Sequence, residues 1–228
     1  MDDLDRPVWA SLTTVHAPLA EGDGRAMRFV RDVNLFASAR DDGADAQAAL
    51  AALVRPGERI YVLQVPAVVV PSGLRTVKAA SGVQMVATRP LTDEHEHDSV
   101  LLTDADAPEM LALASLTEPG PFLARTHRMG RFLGIRRDGR LVAMAGERMR
   151  FPGYTEVSGV CTHPEFRGQG FARRLSSAVV AAIQRRGERA FLHAWATNAP
   201  AITLYRGLGF EVRAEVNVAV LVRDLGGR

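Results

Sequence analysis

The stretch His163-Pro164-Glu165-Phe166-Arg167-Gly168-Gln169-Gly170-Phe171-Ala172 decides how this chain is read. An apolar, β-branched run from Thr155 to Thr162 leads into it. Behind it, Phe171, Leu175, Ala178, Ala182 and Ile183 recur at helical spacing, with Arg173, Arg174, Gln184, Arg185 and Arg186 left to face water. The segment is therefore a strand-to-helix junction. Pro164 ends strand pairing, and Gly168 and Gly170 let successive N–H groups turn toward one point. The positive end of the following helix lies at the same point, so a diphosphate can dock there on main chain alone. Arg167 adds a charge-assisted contact. Glycines also make ordinary strand-to-helix turns, and the loop by itself leaves both readings open.

Downstream, Gly187 ends the helix begun near Gly168. Ala190 to Ala196 reads as a strand, Asn198 caps a short helix from Ala199 to Leu208, Gly209 stops it, and Glu211 to Val222 supplies the last strands. Upstream, Arg137-Asp138-Gly139-Arg140 is a hairpin turn, because Asp-Gly accepts positive φ. It joins Phe132 to Arg136 with Leu141 to Arg150, and Phe151-Pro152-Gly153 leads on to Thr155 to Thr162, so an antiparallel meander precedes the junction. A strand at Val100, a helix from Asp106 to Leu116 and a second short helix from Pro121 to Arg128 come before the meander.

The first ninety residues carry strand-like runs (Arg25 to Phe36, Arg59 to Val65, Val83 to Thr88) and an alanine-rich helix from about Asp45 to Val54, with no chemical motif. The acidic segment Thr92 to Ser99 interrupts the periodicity. A boundary placed there divides the chain into an N-terminal α/β subdomain, residues 1–98, and a second domain, residues 99–228. His95 and His97 within that segment read as part of a solvated linker or as metal ligands. The expectation is that no metal site exists.

A chain of 228 residues with 47% apolar composition can bury a substantial core. Its net charge of +2 gives no global field for nucleic acid, and only Arg185-Arg186 and scattered arginines argue for one. Met1 to Leu12 lacks the pattern of a secretory signal. The most apolar run, Ile60 to Val70, is too short to span a bilayer and is broken by Pro66. Cys161 stands alone, which excludes an intrachain disulfide and fits a reducing cytoplasm.

Two motifs together give the chain a family resemblance. Arg167, Gly170 and Ala172 meet the pattern Q/R-x-x-G-x-G/A, and Asn198, Ala201, Leu204, Tyr205, Gly209 and Phe210 meet Asn-x-x-Ala-x-x-Leu-Tyr-x-x-x-Gly-Phe. In order and spacing the chain resembles the GNAT superfamily of acetyl-CoA-dependent N-acetyltransferases from roughly Val100 to Val222. No Q/R-x-x-G-x-G/A occurs in the first half, which would then be a degenerate relative serving the acceptor pocket or an interface.

The resemblance implies an α/β fold with a mixed sheet, and direct transfer of acetyl from acetyl-CoA to a primary amine of a small molecule or peptide. No metal, nucleic acid or membrane takes part, and a second copy of the chain is a candidate partner. It implies that the pyrophosphate lies on the amides of Gly168, Gln169, Gly170, Phe171, Ala172 and Arg173, beside Arg167. The pantetheine arm would pair with the backbone around Val160, Cys161 and Thr162 where a bulge opens the sheet, and Asn198 would hydrogen-bond to it. A main-chain N–H near the bulge would serve the oxyanion.

Tyr205 lies on the apolar face of its helix with Ala201, Leu204 and Leu208 and on periodicity alone is core. Its place in the second motif implies a general acid, since a phenol with a pKa of about 10 can protonate the departing thiolate. A primary amine is largely cationic at pH 7, so a base would help. Strand alternation puts Glu156 on the face of Ser158, Val160 and Thr162 and makes it the first candidate, with Glu147 second; either also reads as a strand charge or a cation binder. Cys161 reads as a small buried residue or as an acyl-carrying nucleophile. His193 reads as packing, and Phe191 and Trp195 as core. A non-catalytic acyl-CoA-binding module is the alternative reading, and retention of Tyr205 favours the enzyme.

Overall fold

A computed structural model describes residues 2–91 and 99–224. The candidate metal ligands His95 and His97 lie outside the described residues. Eight strands form one mixed sheet in the order β4-β11-β5-β10-β9-β8-β7-β6. The strands are β4 (Arg59–Gln64), β5 (Arg75–Ala87), β6 (Val100–Leu102), β7 (Phe132–Arg137), β8 (Arg140–Phe151), β9 (Tyr154–Thr162), β10 (Arg189–Trp195) and β11 (Phe210–Val222). A second, small sheet joins β1 (Ala20–Gly22), β2 (Ala26–Phe29) and β3 (Ala37–Ala39). The helices are α1 (Pro7–Thr13), α2 (Ala44–Ala52), α3 (Ala107–Thr117), α4 (Phe171–Arg185) and α5 (Ala199–Gly207).

The division expected between residues 98 and 99 does not separate two sheets. β5 lies between β10 and β11, pairing antiparallel with both, and β4 continues the sheet beyond β11. The acidic segment interrupts hydrophobic periodicity, but β5 is needed to satisfy main-chain groups on its two neighbours, and that long-range pairing leaves no local signature. The first half therefore supplies strands to the sheet that carries the junction loop.

Alternation along the strands sorts the core to two faces. Met85 and Ala87 of β5 and Ala190 and Leu192 of β10 pack with Phe171, Leu175, Val179 and Ile183 of α4 and with Tyr205 of α5. Val86 and Phe191, one residue out of phase, pack with Val8 and Leu12 of α1 on the opposite face. The hairpin at Asp138-Gly139 has both residues at positive φ, 50° and 78°, as its sequence requires. The helix expected from Pro121 to Arg128 is reduced to a 3-10 turn at Thr126–Met129. Pro121, where that helix is expected to begin, forms no helix and with Pro119 and Gly120 becomes a cavity wall.

Two irregularities in the β8–β9 pair position the site. Met144 pairs with Cys161 and Gly146 with Ser158, so Gly159 and Val160 together oppose one residue, with Gly159 at φ 62°. Further along, Glu147 pairs with Val157 and Arg150 with Thr155, so Arg148 and Met149 oppose Glu156 alone. Both are β-bulges, which re-aim side chains and bend strands.

A candidate acyl-transfer site across the sheet

β9 and β10 run parallel and pair only from Arg189↔Tyr154 to Phe191↔Glu156. Beyond that point they diverge, and the edge of β9 from Val157 to Thr162 that faces β10 is left without a strand partner. A cavity of about 520 Å³ occupies the divergence, lined by Val157 to Thr162 on one side and His193, Ala194 and Trp195 on the other.

One end of the cavity is the junction loop, where Arg167, Gly168, Gly170, Phe171, Ala172 and Arg173 all line the wall, while Gln169 does not. Gly168 and Gly170 have φ of 79° and 76°, and a Cβ added to either would meet no atom within 4 Å, so the loop is an open cradle. Among the described residues the N–H groups of Gly168, Gln169 and Gly170 donate to no protein acceptor. Those of the first turn of α4 have none within the helix. These amides and the dipole of a 15-residue helix create an anion site. The cradle fits a diphosphate. Arg137 and Arg174 hold their guanidiniums 5.0 and 4.8 Å from the Phe171 ring and add positive charge beside it. Arg173 turns its side chain away, donating to the Gly207 carbonyl at 3.3 Å, so it offers the cradle its main chain.

Asn198 caps α5 by accepting from Ala201 N–H at 3.2 Å and also lines the cavity. Tyr205 also lines the cavity, 8% exposed, with its ring edge-on to Phe210. Burial pushes its phenol up to about 12, so it holds its proton at any ordinary pH. Cys161 lines the same cavity, but burial pushes its thiol up to about 11, which leaves it a poor nucleophile.

The other end of the cavity lies on the α1 face. Phe36, Tyr61 and Leu63 from the first half, Val216 and Val218 of β11, and Arg148 and His193 form its walls, and the exposed Glu118 stands on the wall formed by Thr117 to Pro121. None of these except His193 was singled out by sequence reasoning. A signal for Arg148 does exist, because Glu147 and Arg148 are adjacent charges that interrupt the apolar run beginning at Leu141, and regular alternation would put one of them on each face of the sheet. Gly159 in mid-strand is the corresponding signal for the second bulge.

Glu156 is not placed as a base. It is 0% exposed and absent from the cavity wall, and it accepts from Arg148 Nε at 2.7 Å and Nη2 at 2.6 Å, from Met149 N–H at 3.3 Å, and from His193 Nδ1 at 2.7 Å. Burial alone would raise its carboxyl; the Arg148 charge and hydrogen bonds, with those of His193, outweigh it and hold it at about 2. The alternation that grouped Glu156 with Val160 and Thr162 fails because the Gly159 bulge inserts one residue between them. Glu147, the second candidate, is also buried away from the cavity, accepting from Arg186 Nη1 at 2.9 Å.

His193 is fixed by its partners. Gln84 accepts from Arg213 Nη1 at 2.9 Å through Oε1, so its Nε2 donates to the Leu4 carbonyl at 2.8 Å and to His193 Nε2 at 3.1 Å. That leaves Nδ1 of His193 as the donor to Glu156.

Known proteins share this fold. The FR47-like protein family matches residues 132–219, the meander, the junction and most of β11. A protein from Novosphingobium aromaticivorans DSM 12444, described as an acetyltransferase of the GNAT family, shares 42% identity over 98% of this chain and 100% of its own, with a TM-score of 0.93. At 23% identity, a GCN5-related N-acetyltransferase from Kribbella flavida has the same fold with a TM-score of 0.65 over 100% of this chain and 97% of its own. A GCN5-related N-acetyltransferase-like protein from Streptococcus suis 89/1591 also shares the fold, at 13% identity and a TM-score of 0.59 over 94% of this chain and 92% of its own. No curated protein matches. With its first half and its cavity included in a whole-chain match at 42% identity, this protein belongs to the GNAT family of acetyltransferases.

Proposed function

We propose that the protein is an N-acetyltransferase that moves the acetyl group of acetyl-CoA directly to a primary amine. The observation that carries this reading is a single cavity lined at once by an anion cradle on the α4 face, by apolar residues on the α1 face and by a protonated phenol. The diphosphate of acetyl-CoA is held by main chain from Gly168 to Arg173 beside Arg167. The pantetheine arm supplies the hydrogen bonds that the free edge of β9 lacks around Val160, Cys161 and Thr162, and the amide of Asn198 adds one more.

The thioester then lies near the Gly159 bulge and the acceptor enters from the α1 face. The apolar walls and the Arg148 charge both disfavour an ammonium, so the amine sheds its proton to solvent on binding and attacks as the neutral form. Its lone pair adds to the thioester carbonyl, the tetrahedral oxyanion is met by a main-chain N–H at the bulge, and the C–S bond breaks as Tyr205 donates its proton to sulfur. The proton lost by the new amide nitrogen restores the phenol. Glu156 fixes Arg148 and His193 in place and takes no proton in this scheme.

A non-catalytic acyl-CoA module would need the cradle and not Tyr205. The discriminating experiment is thiol release from acetyl-CoA over a panel of amines, run beside Tyr205→Phe. Binding of acetyl-CoA, read as a rise in Tm, without thiol release from any amine would favour the module. The reading carries no role for metal, nucleic acid or membrane, and it fits a cytoplasmic protein with one reduced cysteine. Among the described residues no helix is long and apolar enough to cross a membrane.

A further inference from the structure

We infer that the acceptor is an amine that also carries a carboxylate, an amino acid with an apolar side chain, and that Arg148 is the residue that selects it. This rests on the transfer reading given above.

Arg148 sits in the β8 bulge with its side chain 9% exposed, and its guanidinium lies 4.9 Å from the Phe36 ring. A guanidinium has five N–H donors. Two of them, one on Nε and one on Nη2, are taken by Glu156. The other three, both on Nη1 and the second on Nη2, have no protein acceptor among the described residues, although the side chain lines the cavity. These donors face the cavity, and a ligand anion that replaced water on them would gain a charge-assisted contact. The two outer nitrogens form a planar fork that matches a carboxylate in a bidentate pair.

At this end of the cavity Phe36, Tyr61, Leu63, Val216 and Val218 suit an apolar side chain, while Gly120, on the wall formed by Thr117 to Pro121, lies against Arg148 and Glu118 is the carboxylate on that wall. Glu156, the nearest carboxylate to Arg148, is fully buried and already engaged, so it does not compete for the outer face of the guanidinium. Arg148 lies next to Glu147, which pairs with Val157, and Ser158 and Gly159 follow on the neighbouring strand. The anion site and the bulge at which acetyl is presented are thus only a few residues apart. This proximity in register suits an amine and a carboxylate carried on one small molecule.

The test is a matched series with acetyl-CoA: L-phenylalanine and L-leucine, their primary amides, and the decarboxylated amines phenethylamine and isoamylamine. The amides have less basic amines and are intrinsically easier to acetylate at neutral pH, so they bias the comparison against the proposal. We expect kcat/KM to favour the free amino acids by roughly 10- to 100-fold, the span expected of one charged hydrogen-bonded contact. In Arg148→Met the ratio of amino acid to amide should collapse toward one. Arg148→Lys, which keeps the charge without the fork and serves if the methionine variant does not fold, should lose most of the same ratio. Equal rates, or a preference for the amides or decarboxylated amines, would overturn the carboxylate assignment while leaving N-acetyl transfer standing. Thiol release from none of the amines, with acetyl-CoA still raising Tm, would remove the transfer reading and this proposal together.

Discussion

The two ends of the cavity are built on different principles. At the proposed cofactor end the candidate binding groups are main-chain amides of one continuous segment, Gly168 to Arg173, built around two glycines held at positive φ. At the proposed acceptor end the walls are side chains of Phe36, Tyr61, Leu63, Arg148, His193, Val216 and Val218, brought together from distant parts of the chain. A main-chain site needs its local sequence, and so its pattern recurs and can be read. A side-chain site needs only positions in space, and any residue can fill each one.

The comparison can be broken most forcefully at Glu156. Replacing it with alanine leaves the Arg148 charge buried without its partner, and a loss of about 3–5 kcal/mol in unfolding free energy is expected in denaturant titration. A loss near zero would mean that the acceptor end does not depend on this pair. Tyr205→Phe keeps the volume and removes the proton, so kcat should fall roughly 10²-fold or more while acetyl-CoA still raises Tm as in the wild type. Equal loss of binding and turnover would instead make Tyr205 part of the cofactor wall.

At the cofactor end, Gly170→Val forces a β-branched residue into φ near 76° and should weaken acetyl-CoA binding by about tenfold, read as a smaller ligand-induced Tm rise. A smaller effect follows from titration. The folded-state carboxyl of Glu156 is depressed to about 2 from 4.5, so its stabilisation is complete above about pH 4.5 and is lost as pH falls from there toward 2. Glu156→Gln should flatten that part of the stability profile. The smallest expected signal is at Cys161: with its thiol pushed up to about 11, only about 10⁻³ is thiolate at pH 8. Mass spectrometry after brief alkylation of the native protein should find it unmodified, and rapid labelling would reopen the covalent route.

Sequence legibility follows the same division. The meander, the Asp138-Gly139 hairpin, α4 and the Asn198 cap lie where periodicity and turn chemistry placed them, to within a few residues. β5 was seen only as its last third, because its first residues, from Arg75 to Ala79, are exposed and carry no apolar alternation. They become a strand by pairing with β11. Simple alternation misplaces Glu156 for a related reason: it holds along a regular strand, and the bulges in β8 and β9 reset it.

What the sequence alone determined is the strand-to-helix junction, the second motif that carries Tyr205, and so the family. These are local matters of φ, helix capping and side-chain period, which neighbouring residues settle among themselves. What only the tertiary structure decided is that the first half shares the sheet, that Glu156 is bound to Arg148 and His193, and that an arginine and a group of apolar residues line one end of the cavity. Each of these depends on contacts between residues far apart in the chain, whose free energy no local pattern encodes.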